Sequence, residues 1–212
     1  MKVVILTGAG RAFSAGGDLN ILDGSIGPSA ARDYVLEVSE ITKLICNMEK
    51  PVIAAVNGLA IGGGLSFVLA ADFVIASSEA KFCQAFVQVG LVPDLGGTYF
   101  LPRIVGMLKA KELIFTGKTI DAFEAERIGI VNKVVDPGSL QEAVEQLSSQ
   151  LAQGPSSAIG LTKSLLNRNI NRCLDEALED EAFAQSICMQ TQDHREGVRA
   201  VREKRKPRFI GA

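Results

Sequence analysis

The sequence predicts an α/β fold, and three observations carry that prediction. Apolar, β-branched runs at residues 2–7 and 52–56 have the length and composition of buried strands. Each run stops at a turn of small residues, Gly8-Ala9-Gly10 and Asn57-Gly58. Between them, Ala31, Val35, Val38, Ile41, Leu44 and Ile45 recur at helical spacing. Strand, small-residue turn and helix in repetition describe a mostly parallel sheet.

Taken in order, residues 11–19 read as a loop of small residues, and residues 29–48 as a helix with Ser29 as its N-cap. Pro51 opens the second strand. A helix begins within Gly62-Gly63-Gly64 and runs through Leu69, and residues 72–76 form a third strand. From about residue 107 the pattern turns helical, with helices expected over 107–115, 121–128, 139–152, 155–167 and 174–205, interrupted by a short strand at 130–135. The expected organisation is a core over residues 1–140 followed by a helical region over 141–212. The helical region is too thin to bury a core of its own, so it is expected to pack on the first part or on a neighbouring subunit.

Composition narrows the functional classes. Apolar residues make up 47% of the 212, charged residues 22%, and the net charge is −2. This balance gives no general attraction to nucleic acid or to an anionic membrane. No apolar run approaches the roughly 18 residues that span a bilayer. Cys46, Cys83, Cys173 and Cys188 are widely spaced with no CxxC pair, which argues against a disulfide framework or zinc site and suits a reducing cytoplasm. The single histidine, His194, excludes a histidine-rich metal centre and reads as a surface residue.

Two glycine turns invite a chemical reading. Ala12-Phe13-Ser14-Ala15-Gly16-Gly17-Asp18-Leu19 is the first, and Asn57-Gly58-Leu59-Ala60-Ile61-Gly62-Gly63-Gly64 the second. Glycine lets a ligand approach peptide N–H groups with no Cβ in the way. At a helix start, several N–H groups lack intrahelical partners and the dipole favours an anion, including an enolate oxygen. The same glycines also serve simple strand-to-helix turns. A dinucleotide site at Gly8-Ala9-Gly10 fails because Phe13 stands where a third glycine is needed and a loop follows in place of a helix.

Together these segments resemble the crotonase (enoyl-CoA hydratase/isomerase) family. The stretch from Gly8 to Leu19 is similar to the family loop that meets the CoA adenine and supplies one oxyanion donor. Lys50 through Gly58, followed by Ala60 and Gly62-Gly63-Gly64, is similar to the second signature. Gly90-Leu91-Val92-Pro93-Asp94-Leu95-Gly96-Gly97-Thr98 resembles the third, and the stretches 193–197 and 203–209 resemble the C-terminal helix. The resemblance implies a spiral of ββα units with a C-terminal helical trimerisation region, assembled as a homotrimer or homohexamer. It implies an acyl-CoA substrate, coenzyme A entering only as part of the thioester, and no separate cofactor or metal. Gly17 and Gly63 would donate amides to the thioester oxygen. Ala15 and Leu19 would meet the adenine, and Gly62 and Phe86 would belong to the substrate/CoA-binding site. Lys204 of a neighbouring subunit would reach the CoA phosphates, although by itself it reads as part of a solvated charge run. Asn20 stands where members often carry a lysine. Members also usually begin with a further strand, an Asn-Arg-Pro-like loop and a helix, so a shortened gene product, a fragment or a start codon assigned too late is expected.

The reaction is read from missing carboxylates. Hydration asks for two acid/base groups, and the positions matching the family's two glutamates are Ser66 and Phe86. Asp94 remains. Alone it reads as a turn or cap aspartate. The segment around it, however, resembles the branch that isomerises ring-epoxide or unsaturated acyl-CoAs in phenylacetate breakdown and uses an aspartate there. The expectation is an isomerase with Asp94 as its single acid/base. The alternatives are a hydratase-like lyase with atypical residues and a crotonase-fold binding subunit without turnover. Asp18 and Asp72 read as structural.

Overall fold

The computed structural model describes residues 1–18 and 26–212. The chain divides into a larger unit, Ile5–Ile45 and Val52–Glu145, and a smaller one, Met1–Val4, Cys46–Pro51 and Gln146–Ala212.

The larger unit holds two four-stranded sheets. One has the order β1 (Val4–Thr7), β3 (Val52–Val56), β5 (Phe73–Ser77), β8 (Lys133–Val135); the other has β2 (Ala12–Ser14), β4 (Leu59–Ile61), β6 (Lys81–Cys83), β7 (Ile120–Asp121). The pairs β3/β5, β5/β8, β2/β4 and β4/β6 are parallel, and β6/β7 is antiparallel. Strands β1, β3 and β5 of the first sheet are each followed within a few residues by a strand of the second, β2, β4 and β6, so the chain alternates between sheets as it winds. All five residues of β3 are buried, as expected for a parallel strand covered on both faces. Ala54, Val56, Ala60, Val68, Phe82, Leu101, Leu113 and Ile120 belong to one apolar core.

The expected elements are present, with corrections. The stretch read as a loop contains β2, and β4, β6 and β7 were not anticipated. The expected strand over 130–135 is confined to Lys133–Val135. Between residues 76 and 107 lie a 3-10 turn, Ala85–Val89, and helix α3, Gly97–Val105. Helix α1 spans Pro28–Asn47, and the Ala31 N–H donates to the Gly27 carbonyl at 3.0 Å. Ser29 therefore lies inside the first turn, and Pro28 takes the first helical position, where its missing N–H costs nothing. The buried positions of α1 are Thr42 and Ile45, whereas Ile41 and Leu44 are exposed. The remaining helices of this unit are α2 (Gly63–Ala70), α4 (Met107–Thr116) and α5 (Ala122–Arg127).

Helix α6 (Leu140–Ala152) leads into the smaller unit, which contains α7 (Ser156–Asn169), α8 (Leu174–Cys188) and α9 (Gln192–Arg202). The single helix expected over 174–205 is broken because the Thr191 hydroxyl accepts the His194 N–H at 3.0 Å and caps a new helix. Asp193 is buried and accepts the N–H groups of Ile210 and Gly211 at 2.7 and 2.9 Å, tying the tail to the start of α9. Lys204 has a φ of 52°, and its N–H and that of Arg205 return to Val201 and Ala200. This is a left-handed helix terminus with lysine where glycine is usual. Among the described residues, no helix is long and apolar enough to cross a membrane.

Candidate active site

Parallel pairing of β2 with β4 sets Ser14 beside Ala60, so both glycine bends leave the same, C-terminal end of their strands in the second sheet. Packing then locks the bends together. A Cβ on Gly64 would lie 2.5 Å from Ser14 Cβ and 2.9 Å from the Ser14 carbonyl oxygen, and one on Gly16 would lie 3.1 Å from the Ile61 carbonyl. Gly16 and Gly62 have φ of 95° and 55°, which glycine adopts without a Cβ penalty. Gly17 follows at an exposed bend, with exposed Ala15 before it. Leu19 and Asn20 lie outside the described residues.

Asn57 is a residue the sequence reading passed over. Its Nδ2 donates to the carbonyls of Gly10 and Ala12 at 3.0 and 3.4 Å, and its Oδ1 accepts the Gly8 N–H at 3.3 Å. One amide side chain thus staples the first glycine turn to the end of β3. An asparagine closing a buried strand was the available signal. Asn57→Ala is expected to cost about 1–3 kcal/mol through the groups left unpaired, read as a lower urea midpoint at unchanged slope.

Helix α2 starts at Gly63, and its first backbone hydrogen bond runs from Ser66 N–H to the Gly62 carbonyl at 3.1 Å. The Gly62 N–H is used by the Cys83 carbonyl at 2.8 Å. The N–H groups of Gly63, Gly64 and Leu65 precede any intrahelical acceptor, so the positive end of the helix sits at this bend. Three side chains approach it from later in the chain. A Cβ on Gly62 would lie 3.8 Å from the Phe86 ring, and one on Gly63 would lie 2.8 Å from Leu95 Cδ1 and 3.9 Å from Asp94 Oδ1. Gly62, Gly63, Phe86 and Asp94, chosen separately on the sequence, come together here. Lys204 belongs to the smaller unit.

Asp94 is half-buried, and that burial pushes its carboxyl above the ordinary carboxylate range, opposed by a hydrogen bond from its own backbone amide. The turn carrying it is strained: Leu95 has a φ of 49° and Gly96 a φ of 91°. A left-handed leucine costs of the order of 1–3 kcal/mol and persists only where its surroundings hold it. Gly97 N–H donates to the Asp94 carbonyl at 2.9 Å. Ser66 is fully buried, and its hydroxyl donates to the same carbonyl at 3.0 Å. The site therefore offers an electropositive helix start, one proton acceptor beside it, and apolar walls from Phe86 and Leu95. Such a site can hold an anionic oxygen while a proton moves on and off a neighbouring atom.

A model of the family described as enoyl-CoA hydratase/isomerase matches residues 1–212, and the chain belongs to that family. A crotonyl-CoA hydratase from Syntrophomonas wolfei is 42% identical over 211 residues, covering 99% of this chain and 81% of that protein. A 1,2-epoxyphenylacetyl-CoA isomerase from Escherichia coli is 39% identical over 216 residues, covering 100% and 82%. The crystal structure of an enoyl-CoA hydratase from Bacillus anthracis superposes with a TM-score of 0.93 at 37% identity, covering 100% of this chain and 82% of that one. The fold is the crotonase fold, with its helical C-terminal region present.

Proposed function

We propose that the protein binds an acyl-CoA thioester and shifts a double bond next to the carbonyl through an enolate, with Asp94 as the single acid/base. The observation that carries the reading is the placement of the Asp94 carboxylate against Gly63, with serine and phenylalanine at the two positions where a hydratase carries glutamates. The N–H groups of Gly63 and Gly17 receive the thioester oxygen in this reading, so charge that develops on removal of an α- or γ-proton falls on backbone donors. Asp94 takes the proton from one carbon and returns it to the other. A 1,3-shift needs one base that reaches both ends, and water takes no part. Burial of Asp94 moves its proton affinity towards a working value, and Phe86 and Leu95 keep its surroundings apolar.

The relative named as an isomerase favours this reading, whereas other relatives carry hydratase names. Ala15 and Leu19 are assigned to the adenine end, and Lys204 to the CoA phosphates of a neighbouring subunit. Assembly as a trimer, or a dimer of trimers, is proposed through the smaller unit, where Leu174, Leu178 and Phe183 of α8 are exposed.

Incubation with a panel of 3-enoyl-CoA and 2-enoyl-CoA thioesters in ¹⁸O-labelled water, read by mass spectrometry, tests the reaction class. Migration of the double bond without label uptake is expected. Label in a 3-hydroxyacyl product would establish water addition and overturn the isomerase reading, and binding with no conversion of any thioester would reduce the chain to a binding subunit.

A further inference from the structure

We infer that Thr42 and Ser66 act as a pair of positioning hydroxyls that set the direction of the Asp94 side chain, a role that rests on Asp94 being the acid/base. Two consecutive carbonyls in the strained turn are each held by a buried hydroxyl from a different helix. The Ser66 hydroxyl of α2 donates to the Asp94 carbonyl at 3.0 Å, and the Thr42 hydroxyl of α1 donates to the Leu95 carbonyl at 3.0 Å. Ser66 is 0% exposed and Thr42 8%. Thr42 is the polar residue in the buried stripe of α1, where the apolar pattern alone would put Ile41. Its methyl Cγ2 lies 3.5 Å from the Cβ position of Gly96, so hydroxyl and methyl both engage the left-handed pair Leu95-Gly96.

Leucine has no polar side chain with which to stabilise a left-handed backbone locally, so the conformation depends on these outside donors. It also has consequences in two directions. The Leu95 side chain is the wall against Gly63, and the residue before it is Asp94, whose carboxylate faces the same glycine. Relaxing φ at Leu95 therefore moves the base and the wall of the oxyanion end together. Ser66 thereby acquires a use in this chain, as it supports the carbonyl of the residue that carries the carboxylate.

Thr42→Val keeps the methyl contacts and removes the donor, and Ser66→Ala removes the other hydroxyl. Each is expected to lower kcat for 3-enoyl-CoA isomerisation roughly 10- to 100-fold, the scale of a small misplacement of a catalytic group, with KM little changed. The acid limb of the kcat–pH profile is expected to move to lower pH as Asp94 gains access to solvent. Thr42→Ser, which retains the donor, is expected to restore both readouts. Asp94→Asn is assayed in parallel. If it is inactive while Thr42→Val and Ser66→Ala lower only the melting temperature, leaving kcat and its pH profile as in the parent, the positioning role is overturned and the acid/base reading stands. If Asp94→Asn keeps full activity, the acid/base reading falls and the positioning role falls with it.

Discussion

Asp94→Asn is expected to reduce isomerisation of 3-enoyl-CoA thioesters by roughly 10²–10⁴-fold, the usual contribution of a positioned acid/base, while acyl-CoA binding followed by calorimetry stays within a few fold. The amide is nearly isosteric and cannot take up a proton at neutral pH, so binding by backbone donors survives and proton transfer does not. The same substitution carries a signature in stability. Burial raises the Asp94 carboxyl above its ordinary value of 3.8, so the folded chain holds that proton more tightly than the unfolded chain. Folding is then weakened as pH rises from 3.8 through the raised folded value, and the penalty is fully present above it. Asparagine pays no such penalty. Thermal melts are expected to show Asp94→Asn more stable than the parent at neutral pH, with the gap closing as pH approaches and passes below 3.8. A gap that stays constant with pH would show that the carboxyl is not held in a desolvating site.

Gly64→Ala is expected to damage activity more than stability. Its Cβ would stand 2.5 Å from Ser14 Cβ, 2.7 Å from Ser14 Oγ and 2.9 Å from the Ser14 carbonyl oxygen. Overpacking of this kind costs about 1–3 kcal/mol. The larger effect is on geometry, because relief pushes β2 away from α2 and separates the bend at Gly16-Gly17 from the amide of Gly63. In the proposed reading this removes Gly17 as an oxyanion donor, a loss worth roughly 10²–10³-fold in kcat, so activity is expected to fall by that factor even where the variant remains folded. Ser14→Gly in the same chain removes two of the three close contacts, and partial recovery of both stability and kcat is the expected result. Recovery of stability without kcat would detach the glycine packing from catalysis.

The sequence made the long, periodic elements legible and hid the short ones. The buried run of β3 and the helices α4, α6 and α7 announce themselves over a full period. The strands β2, β4 and β6 are three residues each, below the length at which alternation can be read. Their pairing depends on partners tens of residues away. Helix α1 was legible as a helix but not in its facing, because its buried stripe passes through Thr42 and leaves Ile41 and Leu44 outside. At the site, Gly62, Gly63, Phe86 and Asp94 could be named from motif order, yet nothing local connects them. The contacts that bring them together, Asn57 to Gly10, Ser66 to Asp94 and Thr42 to Leu95, span 47, 28 and 53 residues. The triple glycine shows the same limit. One composition signal covers distinct demands: a positive φ at Gly62, the wall of Leu95 at Gly63, and the close passage of Ser14 at Gly64.

On the isomerase reading proposed above, the interior placement of Ser66 bears on any attempt to retrain this scaffold for water addition. Position 66 is hemmed in by Gly97, whose Cβ position is 2.9 Å from Ser66 Oγ and 3.2 Å from both Gln84 Nε2 and Pro93 Cβ. A glutamate grafted there would find in Gln84, buried and with neither amide atom partnered, a ready donor for its carboxylate, while the Asp94 carbonyl would lose its hydroxyl. Mutational routes from the proposed chemistry to water addition would therefore cross a valley of epistasis, in which the first exchange, at residue 66, harms the old activity before a second, at residue 86, can serve the new one.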